Sequence, residues 1–189
     1  MATYRSFSVF DLIKCSNVNL DPFTETYSLS YYMHYMATWP EYMRVVESPV
    51  LTAFSSKAKS VLGGRIMGYM VAKSEGQGES WHGHVTALSV APEYRRVGLA
   101  SRLMRGFEDT SERKKCYFSD LFVRASNGLG HSVYTKMGYI VYRRVLNYYS
   151  GKDDDEDAFD MRKALTADKE GRSVIPLTRH VKVEELEFN

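Results

Sequence analysis

An α/β domain on one mixed sheet of about seven strands, with helices on both faces, is predicted by three features of the sequence. Two apolar runs, 65–73 and 82–90, are separated by Gly76 and Gly78, the pattern of an antiparallel hairpin. The second run breaks at Pro92, passes through a short arginine- and glycine-bearing turn and enters an amphipathic helix over 98–113. A strand–helix–strand succession then follows over 117–148.

Taken in order, Arg5, Phe7 and Val9 alternate with polar neighbours and predict a short first strand. Asp11 is placed to cap a helix over 12–16. Asn19 to Phe23 is turn chemistry and continues as a loop past Tyr27. Ser30 opens a second helix over 31–38, which Trp39-Pro40 stops. A strand over 42–47 leads into a small, polar, lysine-bearing loop, 48–64, and then into the hairpin. Leu99, Leu103, Met104 and Phe107 form the apolar side of the third helix. Phe118, Leu121 and Val123 mark a fifth strand over 117–124, followed by a helix over 128–137 that ends near Gly138. Strands over 140–148 and 159–165 flank an acidic loop, 153–157, and residues 166–189 read as a charged tail.

The chain has 189 residues, the length of one domain or of one domain with a tail, and is 44% hydrophobic and 25% charged, an ordinary globular composition. A net charge of +2 points to no nucleic-acid partner. No apolar run reaches 18 residues, so no membrane span is expected. The first residues lack the apolar stretch of a signal peptide, which predicts a cytoplasmic protein with Cys15 and Cys116 as reduced thiols. No metal site is expected: His82 and His84 share one face of a strand but have no third ligand at a recognisable spacing.

The turn into the third helix carries the chemistry. Small residues at Gly98 and Ala100 leave the first helical N–H groups unshielded. With the helix dipole and with Arg95 and Arg96 they make a site for a pyrophosphate. Taken alone, the same residues also fit a polar connection into a surface helix. The spacing Arg95-x-x-Gly98-x-Ala100 after a strand resembles the acyl-coenzyme-A motif of the GNAT superfamily. The resemblance implies the GNAT acyltransferase fold and a domain over 1–165. It also implies that the fourth and fifth strands splay, so that backbone near Leu88 and Val90 pairs with pantetheine. Arg95, Arg96, Gly98, Leu99 and Ala100 would then hold the diphosphate of acetyl-CoA.

Ser126-Asn127-x-x-Gly130-x-x-x-Tyr134 reads from its residues as a capped helix with a half-buried tyrosine. It also resembles the Asn-x-x-Ala-x-x-x-Tyr signature of the superfamily's N-terminal acetyltransferases, with Gly130 in place of alanine. That resemblance implies that Asn127 contacts the cofactor and that Tyr134 protonates the departing thiolate or supports the tetrahedral intermediate. The stretches 17–27, 39–42, 81–93, 120–127, 148–150 and 160–165 extend the likeness to members acting on chains that begin Met-Asp, Met-Glu, Met-Asn or Met-Gln. They imply a substrate site of Glu25, Tyr27, His84, Thr86, Tyr148 and Tyr149. His84 would donate to the second side chain, and a general-base role for it stays open. The 53–64 stretch departs from the likeness as an insertion. These members work with a large helical-repeat (TPR) auxiliary subunit at the ribosome, so a protein partner is expected as well as nascent N-termini. The aromatic and methionine-rich stretch 31–43 suits either the core or such an interface. Two other readings stand beside this one: a GNAT enzyme for lysine or small-molecule amines, and a coenzyme-binding scaffold subunit.

Overall fold

The computed structural model describes residues 2–21, 23–49, 64–150 and 155–186. Eleven regular elements run β1 (Thr3–Ser6), α1 (Leu29–Thr38), β2 (Arg44–Glu47), β3 (Ile66–Glu75), β4 (His82–Val90), α2 (Leu99–Arg113), β5 (Phe118–Arg124), α3 (Gly128–Lys136), β6 (Ile140–Tyr149), β7 (Glu156–Ala164) and β8 (Val181–Lys182) among those residues. The strands form one mixed sheet in the order β1-β2-β3-β4-β5-β7-β6-β8. The β4–β5 and β6–β8 pairs are parallel, and β1–β2, β2–β3, β5–β7 and β6–β7 are antiparallel. The ladder between β4 and β5 runs from His82↔Phe118 to Val85↔Leu121 and stops there, although β4 continues to Val90. The ladder thus ends five residues short of the end of β4, in the stretch where the GNAT resemblance implies a splay.

Several boundaries differ from expectation, each for a local reason. The first strand ends at Ser6, and a 3-10 helix over Val9–Lys14 replaces the helix expected over 12–16. Asp11 is not its N-cap. It lies three residues inside, where its carboxylate accepts the Ser8 N–H at 2.8 Å and takes both arms of Arg5 at 2.7 and 2.8 Å. The next helix starts two residues earlier than expected because Ser28, not Ser30, caps it, accepting from the Tyr31 N–H at 3.3 Å. Residues 50–63 of the expected 48–64 loop, and with them all of the 53–64 insertion but Gly64, lie outside the described residues, as do 153 and 154 of the acidic stretch. Glu156 and Asp157 of that stretch open β7 and form ion pairs with Arg124 and Arg144. The eighth strand comes from the stretch read as a tail, where Val181 is 1% exposed and pairs with Val145.

The described residues group into two compact units, Met1–Val71 with Ala87–Met104, and Ala72–Thr86 with Arg105–Asn189. In the first, Phe7, Val18, Tyr35, Val45, Ile66 and Tyr69 anchor a buried cluster that also contains Cys15. Burial pushes the Cys15 thiol up to about 12. In the second, Val145, Ala158, Val181 and Leu186 form a cluster against which Phe122, Tyr148 and Tyr149 pack. Gly83 lets α2 approach β4 there: a Cβ at this position would lie 2.2 Å from the Ser111 hydroxyl oxygen. His82 and His84 alternate with Gly83 and therefore point to the opposite face of the strand.

Candidate functional site

In the first unit, β4 leads through Ala91 and a 3-10 turn, Pro92–Tyr94, to the start of α2. Arg96 and Gly98 both have left-handed backbone, with φ of 66° and 82°. Nothing lies within 4 Å of where a Gly98 side chain would begin, and Val97 is 67% exposed. The first helical hydrogen bond runs from Arg102 N–H to Gly98 O at 3.1 Å. The N–H groups of Leu99, Ala100 and Ser101 precede that ladder and so have no acceptor within the helix, as an anion at a helix N-terminus requires. Arg95 is tied down at the turn's entrance: its Nε donates to Val90 O at 3.0 Å and its Nη2 pairs with Asp21. The Val90 carbonyl thus accepts one hydrogen bond and keeps a second lone pair, and two of the five Arg95 donors are engaged.

The loop before α1, in the same unit, is held by polar residues of the 17–27 stretch. Asn17 donates to Ile66 O at 3.1 Å, and Asn19 accepts from the Tyr69 hydroxyl at 2.8 Å. Asp21 receives Arg95, and the Thr24 and Ser89 hydroxyls lie 2.7 Å apart. This tethering places Glu25, which is half-buried, and Tyr27, whose ring stacks on Tyr31 at 4.4 Å.

In the second unit a cavity of about 290 Å³ is lined by His82, His84, Asp120, Phe122, Arg143 and Arg162 among others. His84 Nδ1 lies 2.9 Å from Asp120 Oδ1. His82 Nδ1 donates to Ser80 O at 2.7 Å, and its Nε2 is 3.7 Å from both Glu75 and Asp120. Burial raises the Asp120 carboxyl, but His82 and His84 outweigh it and hold the group at about 2. Burial pushes Asp160 up, and the Asp120 charge adds to it, against Arg143 at 2.8 Å and Arg162 at 3.3 Å. The Phe122 ring lies 5.6 Å from His84 and 4.5 Å from Tyr148, and the Tyr149 hydroxyl donates to Phe122 O at 3.2 Å. His84, Tyr148 and Tyr149 are thus drawn together through Phe122. Thr86, half-buried, follows His84 on the same face.

On α3, Asn127 caps the helix by accepting the Gly130 N–H at 2.8 Å. Tyr134 packs edge-on against Tyr139 at 6.1 Å, and burial pushes its phenol up to about 12. Asp120, Phe122 and Glu75 escaped the reading of the sequence. An acidic residue inside the apolar run 118–123 was the one available signal, since buried carboxylates need a partner.

Glu75 also supplies what the histidine pair lacked. One ligand-type atom from each of Glu75, His82 and His84 falls within 4.8 Å of the others. Those groups are engaged within the protein: Lys73 pairs with Glu75 at 2.5 Å, and Asp120 with His84.

The family model for GNAT acetyltransferases matches residues 17–139. The chain is 53% identical to the Arabidopsis thaliana N-terminal acetyltransferase B complex catalytic subunit NAA20, over 100% of both chains. Chaetomium thermophilum Naa20, solved with a bisubstrate analogue, superposes with a TM-score of 0.84 at 35% identity, covering 95% of this chain and 96% of that one. A NatB acetyltransferase complex bound to CoA gives 0.71 at 41% identity, covering 86% and 99%.

Proposed function

This chain belongs to the GNAT acetyltransferase family and is an N-terminal acetyltransferase that uses acetyl-CoA; from that premise we propose that it is the catalytic subunit of a B-type complex, acting on Met-Asp, Met-Glu, Met-Asn and Met-Gln N-termini. The observation that carries the reading is the uncovered helix start after β4, where Gly98 at φ 82° leaves the Leu99, Ala100 and Ser101 amides open to a diphosphate. Arg95, Arg96, Leu88, Val90 and Asn127 complete the coenzyme contacts in this assignment.

The α-amine attacks the thioester carbonyl, the C–S bond breaks, and the amine's surplus proton leaves through water. An α-amine with a pKa near 7.7–8.0 is roughly one-fifth neutral at about pH 7.2, whereas a lysine amine near 10.4 is neutral in about one molecule per thousand. Modest assistance therefore suffices, which agrees with a strand β4 that carries no carboxylate. Orientation and hydrogen bonds to developing charge supply the rate, with Tyr134 as the donor near the sulfur. Glu25, Tyr27, Thr86, Tyr148 and Tyr149 hold the peptide, and His84 recognises its second side chain. A site that pairs with a polar second residue rejects alanine by leaving its own donors unmatched.

The auxiliary subunit is assigned as a large helical-repeat protein that brings the enzyme to ribosomes in the cytoplasm. Support comes from the apolar side chains that the first unit exposes, Phe10 at 70%, Ile13 at 80%, Leu20 at 74% and Leu29 at 63%. The test is acetyl transfer to a panel of Met-x peptides and to free lysine, with and without that subunit. Met-Asp and Met-Asn peptides are expected to react fastest, and His84→Ala to lower the Met-Asp rate at least tenfold. Equal wild-type rates on Met-Asp and Met-Ala peptides would overturn the assignment.

A further inference from the structure

We propose that Asp120 is a positioning residue that sets selectivity at the substrate's second residue, by fixing the His84 ring and matching a positive charge on it. The proposal rests on His84 being the group that reads that residue. In the parallel ladder His84 and Asp120 stand directly opposite each other, with side chains 10% and 5% exposed. A carboxylate so enclosed is costly unless it is paired and hydrogen-bonded. Asp160, a buried carboxylate on the neighbouring strand β7, takes Arg143 and Arg162. Asp120 faces the two histidines, at 2.9 Å from His84 Nδ1 and 3.7 Å from His82 Nε2.

The consequence follows from what imidazole nitrogens can do. An ionised carboxylate only accepts, so the 2.9 Å contact puts a proton on His84 Nδ1 and leaves Nε2 as the nitrogen for a ligand. In a neutral ring Nε2 is an acceptor and repels an aspartate or glutamate side chain. In the imidazolium it is a charged donor, and the Asp120 carboxylate is the counter-charge for that form. An asparagine or glutamine side chain carries both donor and acceptor and pairs with either form. Asp120 therefore matters most for acidic second residues. An equal effect on acidic and amide second residues would hold if it served packing alone.

The test compares the full chain with Asp120→Asn, His84→Ala and the double variant on Met-Asp and Met-Asn peptides. Asparagine can still accept from Nδ1–H but brings no charge. Asp120→Asn is expected to raise KM for Met-Asp peptides at least tenfold with kcat largely kept, and to change Met-Asn peptides less than threefold. In the His84→Ala background it should add no further loss on Met-Asp, since coupled residues are not additive. Equal losses on both peptides, no loss, or an added loss in the double variant would each sink the proposal. If His84→Ala alone leaves Met-Asp transfer intact, the assignment of His84 fails and this inference falls with it. Acetyl-CoA affinity and melting temperature of Asp120→Asn monitor folding. Should that variant not fold, nitrogen NMR of the wild-type His84 ring decides the matter: a protonated Nδ1 is expected, and a bare Nδ1 overturns it.

Discussion

Tyr134 illustrates how surroundings choose between two roles that one side chain could play. A coenzyme thiol has an ordinary pKa near 8.5, whereas burial lifts the Tyr134 phenol to about 12. Full transfer of its proton to a thiolate is therefore uphill, and a hydrogen bond to charge as it develops is the favoured role. Tyr134→Phe should lower kcat by about 10²-fold, the scale of one lost donor to a developing anion, with KM for acetyl-CoA within about twofold. Steady-state kinetics at saturating peptide would check this, and an unchanged kcat would exclude the role. The positions of Tyr134 and Asn127 were legible because one helix fixes their spacing. Asp120 was not, because its meaning depends on a register with a strand 36 positions away.

Among the elements, β4 with the turn after it was read nearly to the residue, and the reason is chemical. A long apolar strand, a proline and then glycine before an amphipathic stretch leave little conformational choice. The 17–24 loop was opaque because its order comes from partners far along the chain, such as Tyr69, Ser89 and Arg95. β8 was hidden for the same reason: two residues carry no periodicity, and only the neighbouring β6 makes them a strand. The turn offers a clean experiment. Gly98→Val forces a β-branched residue into left-handed backbone, at a cost of about 1–3 kcal/mol, and places its methyl groups beside the open amides. KM for acetyl-CoA should rise at least tenfold. Gly106→Ala, in the exposed middle of α2, should stabilise the helix by up to about 1 kcal/mol and leave that KM alone. Equal KM effects from the two would show that the turn has no special part in binding.

On the scale of the whole molecule, acid sensitivity should be shared by both units. Burial raises Asp11, but the Arg5 hydrogen bonds and the Ser8 N–H more than offset it, so its carboxyl sits below the ordinary value. Asp120 is likewise held at about 2. A depressed carboxylate contributes stability above its unfolded pKa of about 4, and that contribution is lost as pH falls through the folded value. Asp160 is shifted upward, so its contribution changes with the opposite sign and partly compensates. Melting temperature should therefore drop between pH 6 and pH 3. Asp11→Asn should cost about 2 kcal/mol near pH 6, with a smaller gap at pH 3. A gap of equal size at both values in thermal melts would rule out Asp11 as a source of the acid sensitivity.

Cys15 and Cys116 are 3% and 0% exposed. Alkylating dyes therefore find no target on the native chain, since modification needs an accessible thiolate. A Val97→Cys variant would present a solitary handle at the rim of the anion-binding turn. A fluorophore attached there would report coenzyme arrival and departure in real time, independently of any acetylated product.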